Sequence, residues 1–163
     1  MFRYIDRKVR GVGLLKCIGR PRNGSQRLKL LLNFNKWYEP KPLRWDKGLT
    51  VIAKIHSQDM FERDYFDHKN LEGDGPNERA MRLDVEIQNG NQCGISENIG
   101  QTPIGRVRDY GIVSDELDVA ICVMKGWMKS PGHRENILDE TFDEIGIGTF
   151  YFVSYCWNTQ DFR

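Results

Sequence analysis

The chain has 163 residues, 39% hydrophobic and 29% charged, with a formal net charge of +1. This is the composition of a globular domain with a single core, and no stretch reaches the roughly 18 consecutive apolar residues of a membrane helix. The small total hides an asymmetry, since residues 1–30 carry nine Lys/Arg against one acid, Asp6, and the remainder fifteen against twenty-two.

Residues 1–27 read as a basic N-terminal arm, a solvated and poorly ordered terminus. Contact with anionic surfaces is the functional alternative. The arm's charges are not interleaved with aromatic residues as a stacking platform requires, so no specific nucleic-acid partner is expected. The run "GVGLLKCIG" is broken by Lys16 and followed by "RPRNGSQR", so it makes no clear secretory signal. Residues 28–38 predict a short helix, which Pro40 and Pro42 end.

Residues 46–66 predict the first long helix, with Asp46 as its cap. Leu49, Ile52, Ala53, His56 and Met60 recur at helical spacing and make one face. His56 on that face reads as a satisfied core histidine. Turn chemistry follows in "NLEGDGPNERA", then a short helix in "PNERAMRL". Residues 87–111 read as loop-rich. Residues 114–129 predict a helix capped by Ser114, with Leu117, Ala120, Ile121, Met124, Trp127 and Met128 as its core stripe. Ser130 and Pro131 end it and suit the N-cap and first position of a second short helix. The last segment, "EIGIGTFYFVSYCWNTQDF", predicts two strands joined by a tight turn near Val153–Ser154. Helices on both sides of loops with late strands imply a mixed α+β fold.

Cys17, Cys93, Cys122 and Cys156 form no CxxC pair, so a zinc knuckle is not indicated. Cys122 sits in an apolar helix, where a buried free thiol is the ordinary reading. No phosphate loop, HExxH or nucleophile elbow occurs. The polar residues placed to meet are His68, Glu97, Ser130, His133 and Glu135, each where a regular element ends. Two imidazoles and a carboxylate make a divalent-metal set or an acid/base pair. They equally make a hydrogen-bonded lock between loops.

"HSQDMFERDYFDH", "SENIG", "WMKSPGHRENIL", "IGIG" and "NTQDF" occur in this order. Together they resemble the CAP superfamily, or SCP domain, of cysteine-rich secretory, antigen-five and pathogenesis-related proteins, and its short prokaryotic branch above all. The resemblance spans roughly Leu43–Phe162. One such motif is weak, whereas five in order at workable spacing are specific. The compact part is read as starting near Leu28, so the CAP/SCP domain is expected over 28–163. Its expected fold is α+β, a three-layer α-β-α sandwich with a small, largely antiparallel sheet.

The resemblance also implies a cleft with two histidines and two acids. His68 matches the first histidine, Glu97 the acid of the "SEN" stretch and His133 the second histidine. The second acid falls about where Ser130 stands, so the full tetrad is not present, a departure usual in the prokaryotic branch. The implied function is a non-catalytic binding module. Its cleft residues are His68, Glu97, Ser130 and His133, and its ligand is small, lipidic or a protein. Zn2+ at His68 and His133 is the metal option. A metal- or His-dependent hydrolase and a purely structural interaction domain are the alternatives. The family implies an extracellular or cell-surface location, whereas the lack of a clear signal leaves the cytoplasm open.

Overall fold

The computed structural model describes residues 41–85, 88–89, 92–108 and 110–163. The basic arm over 1–27, the helix read over 28–38, the domain start at 28 and Cys17 lie outside them. In chain order come β1 (Arg44–Trp45), α1 (Lys47–Glu62), α2 (Pro76–Arg82), β2 (Gln88–Asn89), β3 (Gln92–Cys93) and β4 (Ser96–Pro103). They are followed by β5 (Gly105–Val107), β6 (Gly111–Val113), α3 (Glu116–Lys129), α4 (Pro131–Leu138), β7 (Glu144–Phe152) and β8 (Tyr155–Phe162). The main sheet has the order β1-β7-β8-β4. Only β1 runs parallel to its neighbour. The pairs β2–β3 and β5–β6 form separate small hairpins.

The capping role of Asp46 is realised: its carboxylate accepts from the Leu49 N–H at 2.7 Å. The inner face of α1 is Leu49, Ile52, Ala53, His56, Ser57 and Met60, all buried. The helix stops at Glu62 rather than running on to residue 66, and Asp64 then adopts φ 54°, a left-handed conformation that terminates helices. Helix α1 lies directly on the sheet because β7 offers no side chain at two contact points. A Cβ on Gly146 would fall 2.2 Å from the Leu49 carbonyl carbon, and one on Gly148 2.1 Å from that of Ala53. Glycine inside a strand permits this close approach of another backbone. Ser57 adds a buried hydroxyl contact to Thr159 on β8 (2.8 Å).

The opposite face of the sheet is covered by α3. Gly100 on β4 makes room for Val123 and Trp127, and the Trp127 indole N–H donates to the Ile99 carbonyl at 2.8 Å. The sheet therefore lies between α1 on one face and α3 on the other, and the expected α-β-α layering holds. One core cluster joins Leu49, Ile52, Ala80 and Ile95. The other joins Val113, Val119 and Cys156, with Ile104, Val107 and Cys122 against it.

Three local expectations change. The predicted stripe of α3 is rotated. Val119 and Trp127 are its buried residues, Leu117 is exposed, and Ala120, Ile121, Met124 and Met128 are only half-buried. The helix carries apolar residues on most of its circumference, so sequence spacing did not single out the seam that meets Gly100. Its N-cap is Asp115, accepting from the Asp118 N–H at 2.8 Å, whereas Ser114 donates its hydroxyl to Asp118 (2.9 Å). The loop-rich reading of 87–111 misses β4, a full eight-residue strand of the main sheet. The β7–β8 hairpin turns at Val153–Ser154 as predicted, with Val153 at φ 38°.

Gly148→Ala is expected to lose about 3 kcal/mol or more of stability in urea unfolding, because the new methyl group meets backbone that cannot withdraw. Gly126→Ala is the control. It sits in α3 with nothing within 4 Å of an added Cβ, and should gain about 0.5–1 kcal/mol from reduced chain entropy.

Candidate functional site at the free edge of β4

Strand alternation sends neighbouring residues of β4 to opposite faces. Glu97 points to the α1–α2 side and Asn98 to the α4 side. Because β4 is an edge strand, chain segments from both outer layers reach it there.

On the first side, His68 lies in the loop between α1 and α2. Arg79, buried on α2, holds that loop by donating from Nη1 to the carbonyls of His68 (2.8 Å) and Asp74 (3.1 Å). Its other terminal nitrogen donates to Glu97 Oε2. His68 Nδ1 meets Glu97 Oε1 at 2.8 Å. Both Glu97 oxygens are thus engaged, and its side chain is buried. The His68 side chain is 50% exposed.

The hydrogen bond to Glu97 raises the His68 pKa against the opposing effect of burial. His56 is fully buried beneath, as its core reading requires. Its Nε2 donates to the Asp67 carbonyl (3.1 Å), and Tyr65 Oη lies 3.4 Å from Nδ1. His56 Nε2 also stands 3.8 Å from Glu97 Oε1. Burial lowers its pKa more than the Glu97 charge raises it.

On the second side, Ser-Pro-Gly breaks the helical run and His133 enters the first turn of α4. Ser130 is both the C-cap of α3 and the N-cap of α4, but its hydroxyl makes no capping bond. Among the described residues no hydrogen bond joins that hydroxyl to His68, Glu97 or His133. Glu135 is exposed on α4 and makes no contact with the three either. The His133 carbonyl accepts from Asn98 Nδ2 at 3.0 Å. Asn136 donates to Asn98 Oδ1 (2.9 Å) and to the Glu97 carbonyl (3.3 Å). These bonds tie α4 to the edge strand. Burial, and then the charge of His68, lower the pKa of His133.

Sequence reasoning missed Arg79 and Asp161. Asp161 is the direct partner of Glu97 in the β4–β8 ladder and is fully buried, and neither of its carboxyl oxygens has a hydrogen bond of normal geometry. Burial, and then the neighbouring Glu97 charge, push its pKa well above the ordinary carboxylate value, with Arg79 opposing. The "NTQDF" stretch contained the signal, a charged residue inside an otherwise buried strand. Arg79 could have been found from its place beside Ala80 on the inner side of a short helix.

No group of three or more His, Cys, Asp or Glu side chains among the described residues is placed to hold a metal ion. Of the cysteines whose side chains are described, Cys122 and Cys156 are free thiols; burial raises the first and pushes the second up to about 12, so neither is an activated nucleophile.

Two titrations check these electrostatics. In NMR, His68 should titrate above, and His133 below, an ordinary histidine, and Glu97→Gln should bring His68 down. In unfolding experiments Asp161→Asn should gain on the wild type as pH rises. An unfolded Asp ionises near 3.8, whereas the native acid keeps its proton to higher pH. The native state then binds more protons, so wild-type stability falls as pH climbs above that value, and the asparagine variant escapes the loss.

The chain matches the family model "CAP: Cysteine-rich secretory protein family" over residues 38–162. It is 33% identical over 122 residues to the Bacillus subtilis (strain 168) protein YkwD, covering 75% of this chain and 39% of that one. It is 30% identical over 120 residues to the membrane protein YlbC of the same organism, covering 74% and 28%. It thus spans well under half the length of either relative. Among solved structures, it resembles an extracellular protein containing an SCP domain from Bacillus anthracis str. Ames, with TM-score 0.56 and 26% identity over 84% of this chain and 39% of that one. It shares its fold with an outer surface protein from Borrelia burgdorferi, at TM-score 0.58 and 18% identity over 89% of this chain and 98% of that one. The ordered motifs, the sandwich and the family match agree: this chain belongs to the CAP, or cysteine-rich secretory protein, family.

Proposed function

We propose that this domain is a non-catalytic binding module that presents His68 and His133 at the free edge of β4 to a small or lipidic ligand. The observation that carries this reading is the saturation of Glu97. One oxygen is taken by Arg79 and the other by His68. Glu97 therefore orients an imidazole and has no free oxygen with which to take a proton from water. A hydrolase needs such a base or an activated nucleophile, and the arrangement speaks against that alternative. Fixing one ring nitrogen of a half-exposed histidine through a carboxylate is how proteins orient the ring toward a ligand or a metal. Phe66 and Leu71, both exposed on the same loop as His68, add apolar surface suited to a lipidic group.

A divalent cation such as Zn2+ would find His68 and His133 as side-chain ligands. It would need water or the bound molecule for its other positions, since Glu97 is already engaged. A second reading, a purely structural lock, draws on Asn98 and Asn136, whose amides are spent on holding α4 to β4. The extracellular Bacillus anthracis relative supports an extracellular or cell-surface placement.

The test is a thermal-shift panel of fatty acids and lysophospholipids on the wild type and on the His68→Ala/His133→Ala double variant, with calorimetric Zn2+ titration of both. At least one amphiphile is expected to raise Tm in the wild type only. Stoichiometric Zn2+ binding lost in the variant would make the histidines a metal site. Neither effect, with lowered stability in each single variant, would leave the structural lock.

A further inference from the structure

A second site lies at the other end of β4. Pro103 pairs with Tyr155 there, six residues from the Glu97–Asp161 pair, or about 20 Å along the strand. Between the tip of the β7–β8 hairpin and the start of α3 lies a cavity of about 290 Å3, open to solvent. Its apolar lining includes Ile104, Tyr151 and Val153, and its charged lining is Asp115 and Glu116, with no Lys, Arg or His. That volume is near the small end of ligand pockets.

Three features shape it. Val153 sits at φ 38° and is 82% exposed. A β-branched residue in that conformation stores strain and has no packing to offset it, yet it keeps an apolar side chain at the mouth. Tyr151 is half-exposed on the face of β7 that looks toward α3, so it presents aromatic surface to the cavity. Asp115 uses one carboxylate oxygen to cap α3, but Glu116 has neither a hydrogen bond nor an ion pair among the described residues. Glu116 opens α3, whose positive N-terminal end offsets part of its charge; the remaining negative charge, beside apolar and aromatic surface with no Lys, Arg or His in the lining, favours a weakly hydrated cation. Burial first, then Cys156 and Glu116, and more weakly Asp115, push the ionisation of the Tyr151 phenol up.

We infer that this cavity binds a small organic ammonium ion, its alkyl groups against Ile104, Tyr151 and Val153 and its charge facing Glu116 and Asp115. The site is independent of His68 and His133, and the inference does not rest on the function proposed for them. Apolar walls favour alkylated ammonium over metal cations, which would have to give up their water to so few oxygens.

The probe is choline, with its neutral carbon isostere 3,3-dimethylbutan-1-ol as control, titrated into the full chain at low salt and followed by two-dimensional amide NMR. Saturable choline shifts are expected at Ile104, at residues 114–116 and at residues 151–155. The isostere should bind at least about fivefold more weakly, and so should choline to Glu116→Gln, as loss of the charge term predicts. Glu116 is exposed, so the variant should otherwise keep the wild-type spectrum. Three outcomes overturn the inference: shifts that do not saturate, an isostere that binds as well as choline, or choline binding unchanged in Glu116→Gln. Shifts centred on His68 and His133 would overturn it equally.

Discussion

The buried contact between Arg79 and Glu97 holds this molecule's edge together. Arg79 reaches two carbonyls of the α1–α2 loop and a carboxylate on the edge strand with one planar group. A lysine offers one point charge and cannot span those three acceptors with the same fixed geometry. Removing either member would leave the other charged and out of water, which costs about 3–5 kcal/mol. His68 is placed by this pair twice, through its carbonyl on Arg79 and through its ring on Glu97. The candidate site is thus a consequence of how one short helix is fastened to one strand.

The same strand shows how polar residues can build an interior. Asn98, Thr102, Asn158 and Gln160 are buried on the face of the sheet toward α3 and α4. They are tolerated because they bond to one another and to backbone: Asn98 to the His133 carbonyl and to Gln160, and Asn158 to Thr102 and the Gly100 carbonyl. Each bond adds only about 1 kcal/mol net, but an unmade one costs more, so such a layer accepts one arrangement and few others. On the opposite face the constraint is steric. Two glycines on β7 let α1 settle onto backbone, and the Phe61 ring closes that end of the layer against Phe150 and Trp157, at centroid distances of 5.0 and 5.1 Å.

Charge at the edge is distributed unevenly by the surroundings. Arg79 neutralises one buried carboxylate, and Asp161, directly opposite, is left without a cation of its own. Burial and the Glu97 charge raise the Asp161 pKa, and the bond to Glu97 raises that of His68. His56 and His133 are pushed the other way by burial. The two histidines at the edge, His68 and His133, thus differ in protonation tendency, one tied to an acid and one not.

Much of this was legible in the residues themselves. The α1 face from Leu49 to Met60, the Asp46 cap, the Ser-Pro-Gly break before His133, the "IGIG" contact and the Val153–Ser154 turn all follow from local rules of spacing, capping and sterics. These are short-range, so a linear sequence carries them. The strand that bears Glu97 was not legible, because "SENIGQTP" lacks the β-branched alternation of an ordinary strand; it becomes one only when β8 pairs with it and Asn158 and Gln160 satisfy its polar neighbours. The seam of α3 was not legible either, since its apolar residues run around the helix and only Gly100 decides which line of them is buried. Arg79 and Asp161 became part of the site through contacts 18 and more residues away in sequence. The sequence by itself determined the family, the main helices and the terminal hairpin. Tertiary structure alone decided which carboxylate is paired, which is left buried without a cation and which imidazole Glu97 orients, because those outcomes depend on distances between segments that no local rule brings together.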